Sequence, residues 1–302
     1  MRGQNGADDL HGVFATLRPK LHRYCARMTG SVIDAEDIVQ DAMAKAVMSL
    51  REPVMVRNTE GWIFRIAHNA ALDFLRQRTR QQKTFADEHL SVVADDIDRV
   101  QQRQLAAAGL RTFMRLSAAE RSAVVLMDVL GYSLEEIGGI TESSIPAVKA
   151  ALHRGRQRLR TIKLEPDDRP PPTLSAAERT RLSAYVDRFN ARDFDSVRDM
   201  LAEDVRVELV GRTRLRGAEA GRYFGNYEGI SDWHLRLGVV EGRLAVIVTD
   251  PAKPDGPPSY FILLDWRFEQ VGRIRDFRYV GYITESADIS FLTRPHEPRT
   301  LS

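Results

Sequence analysis

A single cysteine, Cys25, stands in 302 residues. No intrachain disulfide can form from it, and a cysteine-cluster zinc site is excluded. A reduced, cytoplasmic setting is therefore expected. No uninterrupted apolar run reaches the roughly 18 residues that mark a membrane helix, so no span is expected. The opening residues, MRGQNGADDLHG, set no apolar stretch behind a basic one, and a secretory signal is not expected. There is no internal repeat, no low-complexity tract beyond one run of prolines, and no motif that calls for a cofactor or a metal.

What is present is an ordinary globular mixture, 43% apolar and 28% charged. The length suggests two or three domains at about 100–200 residues each. The net charge of +2 hides an asymmetry. Residues 1–163 carry 24 Lys and Arg against 19 Asp and Glu, whereas residues 164–302 carry 20 against 23. Between them lies LEPDDRPPPTL (164–174), whose three consecutive prolines cannot continue a helix and favour extended geometry. Helical periodicity dominates before this segment and strand alternation follows it, so the main domain boundary is placed here.

The first part reads as helical throughout. Leu17, Leu21, Tyr24 and Met28 recur at helical spacing. A second helix runs from the acidic Ser31–Asp37 stretch to about Leu50, with Val39, Met43, Val47 and Leu50 as its buried stripe. Asp34, Glu36 and Asp37 sit in its first turns, where the helix dipole favours negative charge. After the loop REPVMVRNTEG, a third helix spans about Glu60–Arg80 and buries Ile63, Ile66, Ala67, Ala70 and Phe74. Residues 81–106 are polar and read as a linker. A second helical cluster follows from about Ala107 to Lys163.

The strongest local signal is YSLEEIGGITESSIPAVKAALHRGRQRLR (132–160). Two short helices with a tight break form a helix-turn-helix, joined through Leu134, Ile137, Ile140, Ile145, Val148 and Leu152. Ser144 suits the N-cap and Pro146 the first helical turn. The second helix carries Lys149, His153, Arg154, Arg156, Arg158 and Arg160 with no acidic residue from Ile145 onward. Such a rod fits the major groove, with its basic tail near phosphates. Small residues at Pro146, Ala147 and Ala150 leave few base hydrogen bonds, so its cations set affinity and position more than sequence choice. A second basic cluster, Arg76, Arg78, Arg80 and Lys83, ends the third helix, with Trp62, Phe64, Arg65, His68, Asn69 and Asp73 upstream. Cations beside aromatic rings suit DNA that must be unstacked. By residue type alone, the core is the commoner place for both Trp62 and Phe64, and only Trp62 is kept as a DNA-facing candidate.

DAEDIVQDAMAKAV (34–47), GWIFRIAHNAALDFLRQRTR (61–80) and the helix-turn-helix segment, in this order and spacing, resemble an extracytoplasmic-function (ECF) bacterial sigma factor. The resemblance covers about residues 10–163. It implies an all-α sigma-2 domain over 10–82, a linker over 83–106 and an all-α helix-turn-helix sigma-4 domain over 107–163. It further implies that core RNA polymerase and promoter DNA are the partners. Asp34, Asp37, Gln40 and Asp41 would face the β′ clamp helices, and sigma-4 would touch the β flap. Trp62, Arg65, Asn69, Arg76, Arg78 and Arg80 would serve the −10 element, with loop 51–60 holding a flipped base. Ser144, Pro146, Ala147, Lys149, Ala150, His153, Arg154, Arg156 and Arg158 would serve the −35 element. Two departures stand out: Glu142 replaces the usual turn glycine, and Ala151 stands where an arginine is common.

After the 164–174 linker, Ser175 and Glu178 form a capping-box pattern that opens a helix to about Ala191. A short helix around Ser196–Leu201 follows. Strands are then expected at Val205–Val210, Trp233–Val240, Leu244–Thr249, Tyr260–Phe268 and Ile274–Ile283. Helices followed by a run of strands argue for α+β. YVDRFNARDFDSVRDMLAEDVRVEL (185–209) is similar to the SnoaL-like branch of the NTF2-like fold, which implies a cone domain over 175–295. In sigma factors that carry such an extension, it controls the sigma domains in cis. The glycine-rich motif of some of them is absent, and VGRTRLRG (210–217) stands in the comparable place. Asp232, His234, Asp265, Asp276, Tyr279 and Tyr282 are the polar residues on or beside these strands. Asp232, His234 and Tyr279 are the candidates for a small-molecule pocket, and no catalysis is expected. Two other readings compete: a helix-turn-helix regulator with a ligand-sensing domain, and an enzyme acting in the second-domain pocket.

Overall fold

The structure is a computed structural model that describes residues 4–49, 58–84, 109–110, 112–162, 175–253 and 256–292. It divides into two compact units, one formed by residues 1–88 and 107–167, the other containing 168–302. The expected 83–106 and 164–174 linkers, Leu50 and most of loop 51–60 lie outside the described residues.

In the first unit, α1 (Gln4–Thr29), α2 (Val32–Ser49) and α3 (Thr59–Thr84) pack together. Leu17, Leu21, Tyr24 and Met28 are all buried, as their spacing predicts. The stripe of α2 ends a turn earlier than expected. Ala46 is fully buried while Val47 is 43% exposed, because the helical repeat carries the smaller side chain inward at that point. Glu36 of α2 is completely buried beside the Arg18 guanidinium of α1, with Arg18 Nε 3.0 Å from Oε1. An ion this far from water persists only when paired and hydrogen-bonded.

Ser117 and Glu120 form a capping box at the start of α4 (Ala118–Val124), which runs on through a π-helical turn, Val125–Val129. A second box, Ser133 with Glu136, starts α5 (Leu134–Thr141). The helix-turn-helix break falls at Glu142, in the left-handed conformation at φ 52° where glycine is the unstrained choice. Ser144 then caps α6 (Ile145–Thr161), accepting from the Ala147 amide. Gly155 of α6 lies against α4 so closely that a Cβ there would sit 2.8 Å from Val124 Cγ2.

These two helical groups, expected as separate domains, pack within one unit. Phe64 of α3 meets Tyr132 edge to face at 5.1 Å, and the Tyr132 hydroxyl donates to Glu60 at 2.5 Å. Arg121 of α4, 5% exposed, donates to the carbonyls of Phe113 (2.8 Å), Leu116 (2.9 Å) and Met114 (3.2 Å), and reaches across to Met28 of α1.

The second unit opens with α7 (Ala176–Asn190), capped reciprocally by Ser175 and Glu178, and α8 (Phe194–Arg198). Among the described residues seven strands follow: β1 (Leu201–Leu209), β2 (Thr213–Arg216), β3 (His234–Val240), β4 (Arg243–Thr249), β5 (Tyr260–Arg267), β6 (Gln270–Asp276) and β7 (Ile289–Phe291). Their order in the sheet is β2-β1-β6-β5-β4-β3-β7. The β1–β6 pair is parallel and the other pairs are antiparallel. A helix absent from the sequence reading, α9 (Arg222–Glu228), lies between β2 and β3. The last expected strand, Ile274–Ile283, stops at Asp276. There the Asp276 Oδ1 accepts the Arg278 amide at 2.8 Å and the chain enters a 3-10 turn.

One sheet face, with α7, α8 and α9, encloses an aromatic core. Phe189 lies 4.8 Å from Tyr227 and 5.3 Å from both Phe194 and Trp233, ring centre to ring centre. An all-α unit followed by an α+β unit is the fold class expected.

Candidate nucleic-acid interface

The exposed surface of α3 and α6 carries the cations. On α3, Asn69, Arg76, Arg78 and Arg80 are exposed, while Trp62 and Arg65 are half-buried. Phe64 is wholly buried, so it belongs to the core. The Arg78 guanidinium donates to the Thr29 carbonyl at 3.3 Å, and Arg76 pairs with Asp73 at 2.9 Å. Arg65 approaches Glu142 of the helix-turn-helix break at 3.6 Å.

On α6, Lys149, Ala150, His153, Arg154, Arg156 and Arg158 are exposed, as are Ser144, Pro146 and Ala147 at its start. The helical repeat turns Val148, Ala151, Leu152 and Gly155 inward. Ala151, where an arginine was the familiar residue, is 5% exposed and has no room for one. Three of the cations are held by acids of α4 and its π turn. Arg154 lies 3.4 Å and Arg158 3.9 Å from Glu120, and Arg156 lies 2.5 Å from Asp128. The Ser117 amide, with Arg154 and Arg158, holds the Glu120 carboxyl below its usual range. A groove of about 490 Å³ lies along α6, lined by Met127, Leu134, Lys149, Leu152, His153 and Arg156 among others.

On α2, Asp34, Asp37 and Gln40 are half-buried and Asp41 is exposed; all four lie on one side of the helix. Beneath this surface, Tyr24 Oη lies 2.6 Å from His68 Nδ1. Burial lowers His68 from 6.5 to about 4, so the ring is neutral at pH 7. An imidazole that resists protonation when folded adds stability above pH 6.5 and loses it as pH falls toward 4. The helical unit is therefore expected to lose roughly 2 kcal/mol between pH 7.5 and pH 5.0 from this group alone. Burial also lowers His22, which acts in the same direction. Urea midpoints at the two pH values check this, and equal midpoints contradict it.

In the second unit, Asp232 and His234 are exposed and Tyr279 is 39% exposed, so none of the three pocket candidates lies in the interior. Asp276 is instead enclosed, with no exposed surface. Its Oδ2 accepts from Tyr227 Oη at 2.6 Å and Tyr223 Oη at 3.1 Å. Tyr260 Oη donates to Tyr227 Oη at 3.3 Å and accepts from Arg278 Nη2 at 3.0 Å. Burial raises the Asp276 carboxyl above its ordinary value despite these donors. Tyr185 Oη and Trp233 Nε1 are buried without a hydrogen-bond partner among the described residues.

The family model of sigma-70 region 2 matches residues 13–81, and that of sigma-70 region 4 matches 110–159. The SigW ECF RNA polymerase sigma factor of Bacillus subtilis is 30% identical over 154 residues, 47% of this chain and 82% of SigW. The chain belongs to the ECF sigma factors. As such it binds core RNA polymerase and directs promoter-specific initiation. The SigG ECF sigma factor of Mycobacterium tuberculosis is 28% identical over 248 residues, 72% of this chain and 67% of SigG. Among solved structures, the ECF sigma factor SigJ of Mycobacterium tuberculosis covers 89% of this chain and 98% of its own, with 19% identity and a TM-score of 0.37. No helix among the described residues of this sigma factor is long and apolar enough to cross a membrane.

Proposed function

We propose that the two cationic helices divide the promoter between them inside the cytoplasm. Trp62, Arg65, Asn69, Arg76, Arg78 and Arg80 serve the −10 element, and the exposed face of α6, from Ser144 to Arg158, serves the −35 element. Asp34, Asp37, Gln40 and Asp41 face the β′ clamp helices, while the helix-turn-helix domain meets the β flap. The observation that carries this reading is the exposure of every cation named on α6, on the second helix of a helix-turn-helix that follows a basic α3 in the order of sigma regions 2 and 4.

The second domain, NTF2-like in its sequence pattern, regulates the sigma part in cis and catalyses nothing. One short tether makes their encounter intramolecular, so a weak contact suffices. A small molecule that shifts this balance would find its polar anchor at Asp276 and Tyr227. Tyr185 and Trp233 supply two buried donors without partners among the described residues.

Run-off transcription with core RNA polymerase tests both parts. The whole chain is compared with versions ending at Lys163 and near Pro172. Promoter-directed transcripts that differ in amount between the whole chain and the two shorter versions are expected. Equal amounts overturn the cis regulation. No directed transcript from any version overturns the division of promoter contacts.

A further inference from the structure

The outer face of the β2-β1-β6 edge concentrates arginine. Register places Arg206 opposite both Arg216 of β2 and Arg273 of β6. Two residues along, Glu208 stands opposite Arg214 and Arg275. Side chains two apart in a strand share a face, so five guanidinium groups and one carboxylate lie together. The opposite face of β1, with Val205, Val207 and Leu209, enters the aromatic core.

Glu208 is 4% exposed and lies 3.0 Å from Arg214, 2.8 Å from Arg273 and 3.1 Å from Arg275. Burial pushes its carboxyl up, but the three guanidinium groups outweigh this and hold it below the usual range. One partner would neutralise it; three leave a surplus of positive charge. Arg206 and Arg216 are exposed, and neither closes a salt bridge or side-chain hydrogen bond among the described residues. Two further acids stand near. Asp204 is committed to Arg267 at 2.8 Å, and Asp265 stands opposite Arg273 in register. The five arginines thus outnumber the three acids near them, Asp204, Glu208 and Asp265, and Asp204 is already paired with Arg267. This concentration lies in the half of the chain that is acidic overall, with 20 cations against 23 acids. Folding alone gives no reason to gather it.

We propose that this arginine face binds the phosphate backbone of the promoter DNA that the sigma factor engages. Charge complementarity selects the occupant. Three strands about 4.8 Å apart span roughly 10 Å, a length of duplex that carries about six phosphate charges. Guanidinium groups grip phosphate oxygens through paired hydrogen bonds. Contacts of this kind fix position and affinity without reading sequence. VGRTRLRG, which contains Arg212, Arg214 and Arg216, thereby acquires a role as part of a DNA clamp outside the two sigma regions.

The test is fluorescence anisotropy of the full chain on a 25-base-pair duplex of mixed sequence, across a KCl series. R206Q/R216Q removes two cations that close no salt bridge among the described residues, Arg206 acting on Asp204 only at longer range, so Glu208 keeps its partners. The slope of log affinity against log salt is expected to fall by about 1.8, at roughly 0.9 per phosphate contact. R206K/R216K is expected to retain the wild-type slope. The control R188Q/R222Q/R243Q, exposed arginines elsewhere in the same unit, is expected to leave affinity within about twofold. An unchanged slope in R206Q/R216Q overturns the proposal, as does an equal loss in the control or no binding by the wild type. A loss confined to single-stranded RNA or an acidic peptide, with duplex binding intact, overturns it in favour of that partner.

Discussion

Replacing Arg121 with alanine is expected to speed hydrogen exchange across residues 21–31 and 112–129 on the order of 100-fold, a loss of about 3 kcal/mol. The guanidinium is almost wholly buried and donates to four backbone carbonyls. Hydrogen bonds from a charged donor contribute roughly 1.5–3 kcal/mol each, and buried acceptors left unpaired carry a desolvation penalty. Three of the acceptors, Phe113, Met114 and Leu116, lie just before α4. The fourth, Met28, lies at the end of α1. One side chain therefore ties the region 2 helices to the region 4 helices. Arg121→Lys is expected to recover only part of the loss, because an ammonium has three donors and no planar fork. Slowed or unchanged exchange in Arg121→Ala would show that the carbonyls find other partners.

The second large effect is expected at Asp276. Asp276→Ala removes the acceptor for Tyr223 Oη, Tyr227 Oη and the Arg278 amide, all buried or half-buried. At about 1–3 kcal/mol for each orphaned donor, the second unit is expected to lose roughly 3–5 kcal/mol. The sign of its pH dependence is opposite to that of His68. A carboxyl whose folded pKa is raised by burial favours folding below its unfolded value and loses that contribution as pH rises through the folded value. Asp276→Asn keeps one accepting oxygen and cannot ionise. It is expected to retain more stability than alanine and to lose the decline in stability that the wild type shows as pH rises through the folded Asp276 value. Urea unfolding followed by Trp233 and Trp266 fluorescence measures both effects. A decline with rising pH that survives unchanged in Asp276→Asn would assign it to other groups.

The helical unit was largely legible because its signals are local. Ser144 before Ile145, a basic run with no acid, and apolar residues at helical spacing each name their structure without distant partners. Ser175 and Glu178 likewise cap α7 as their spacing implies. The second unit was less legible. Its interior site depends on Tyr223 and Tyr227 of α9, a seven-residue helix, RYFGNYE, with a central glycine that weakens the helical signal. Asp276 was visible only as one polar residue among six, since nothing in the alternation of β6 says that its aspartate is sealed by tyrosines about 50 positions upstream. Asp232 and His234 have functional chemistry by type, yet they fall where the chain enters β3 from a surface turn. Glu36 shows the same limit in the first unit. An acid in a helix's first turns reads as solvated until Arg18, half a helix pair away, is seen to cover it.

The parallel pairing of β1 with β6 has a consequence for how the protein is made. A ribosome releases the helical unit first, and β1 then waits for a strand that ends at Asp276. At 5–20 residues per second, the stretch of about 110 residues from the end of the helical unit to Asp276 takes roughly 5–20 seconds to emerge. During that interval a nascent chain carries finished sigma-region helices and an unfinished sheet. Each newly synthesised copy therefore passes through a brief period in which its sigma portion exists without its companion.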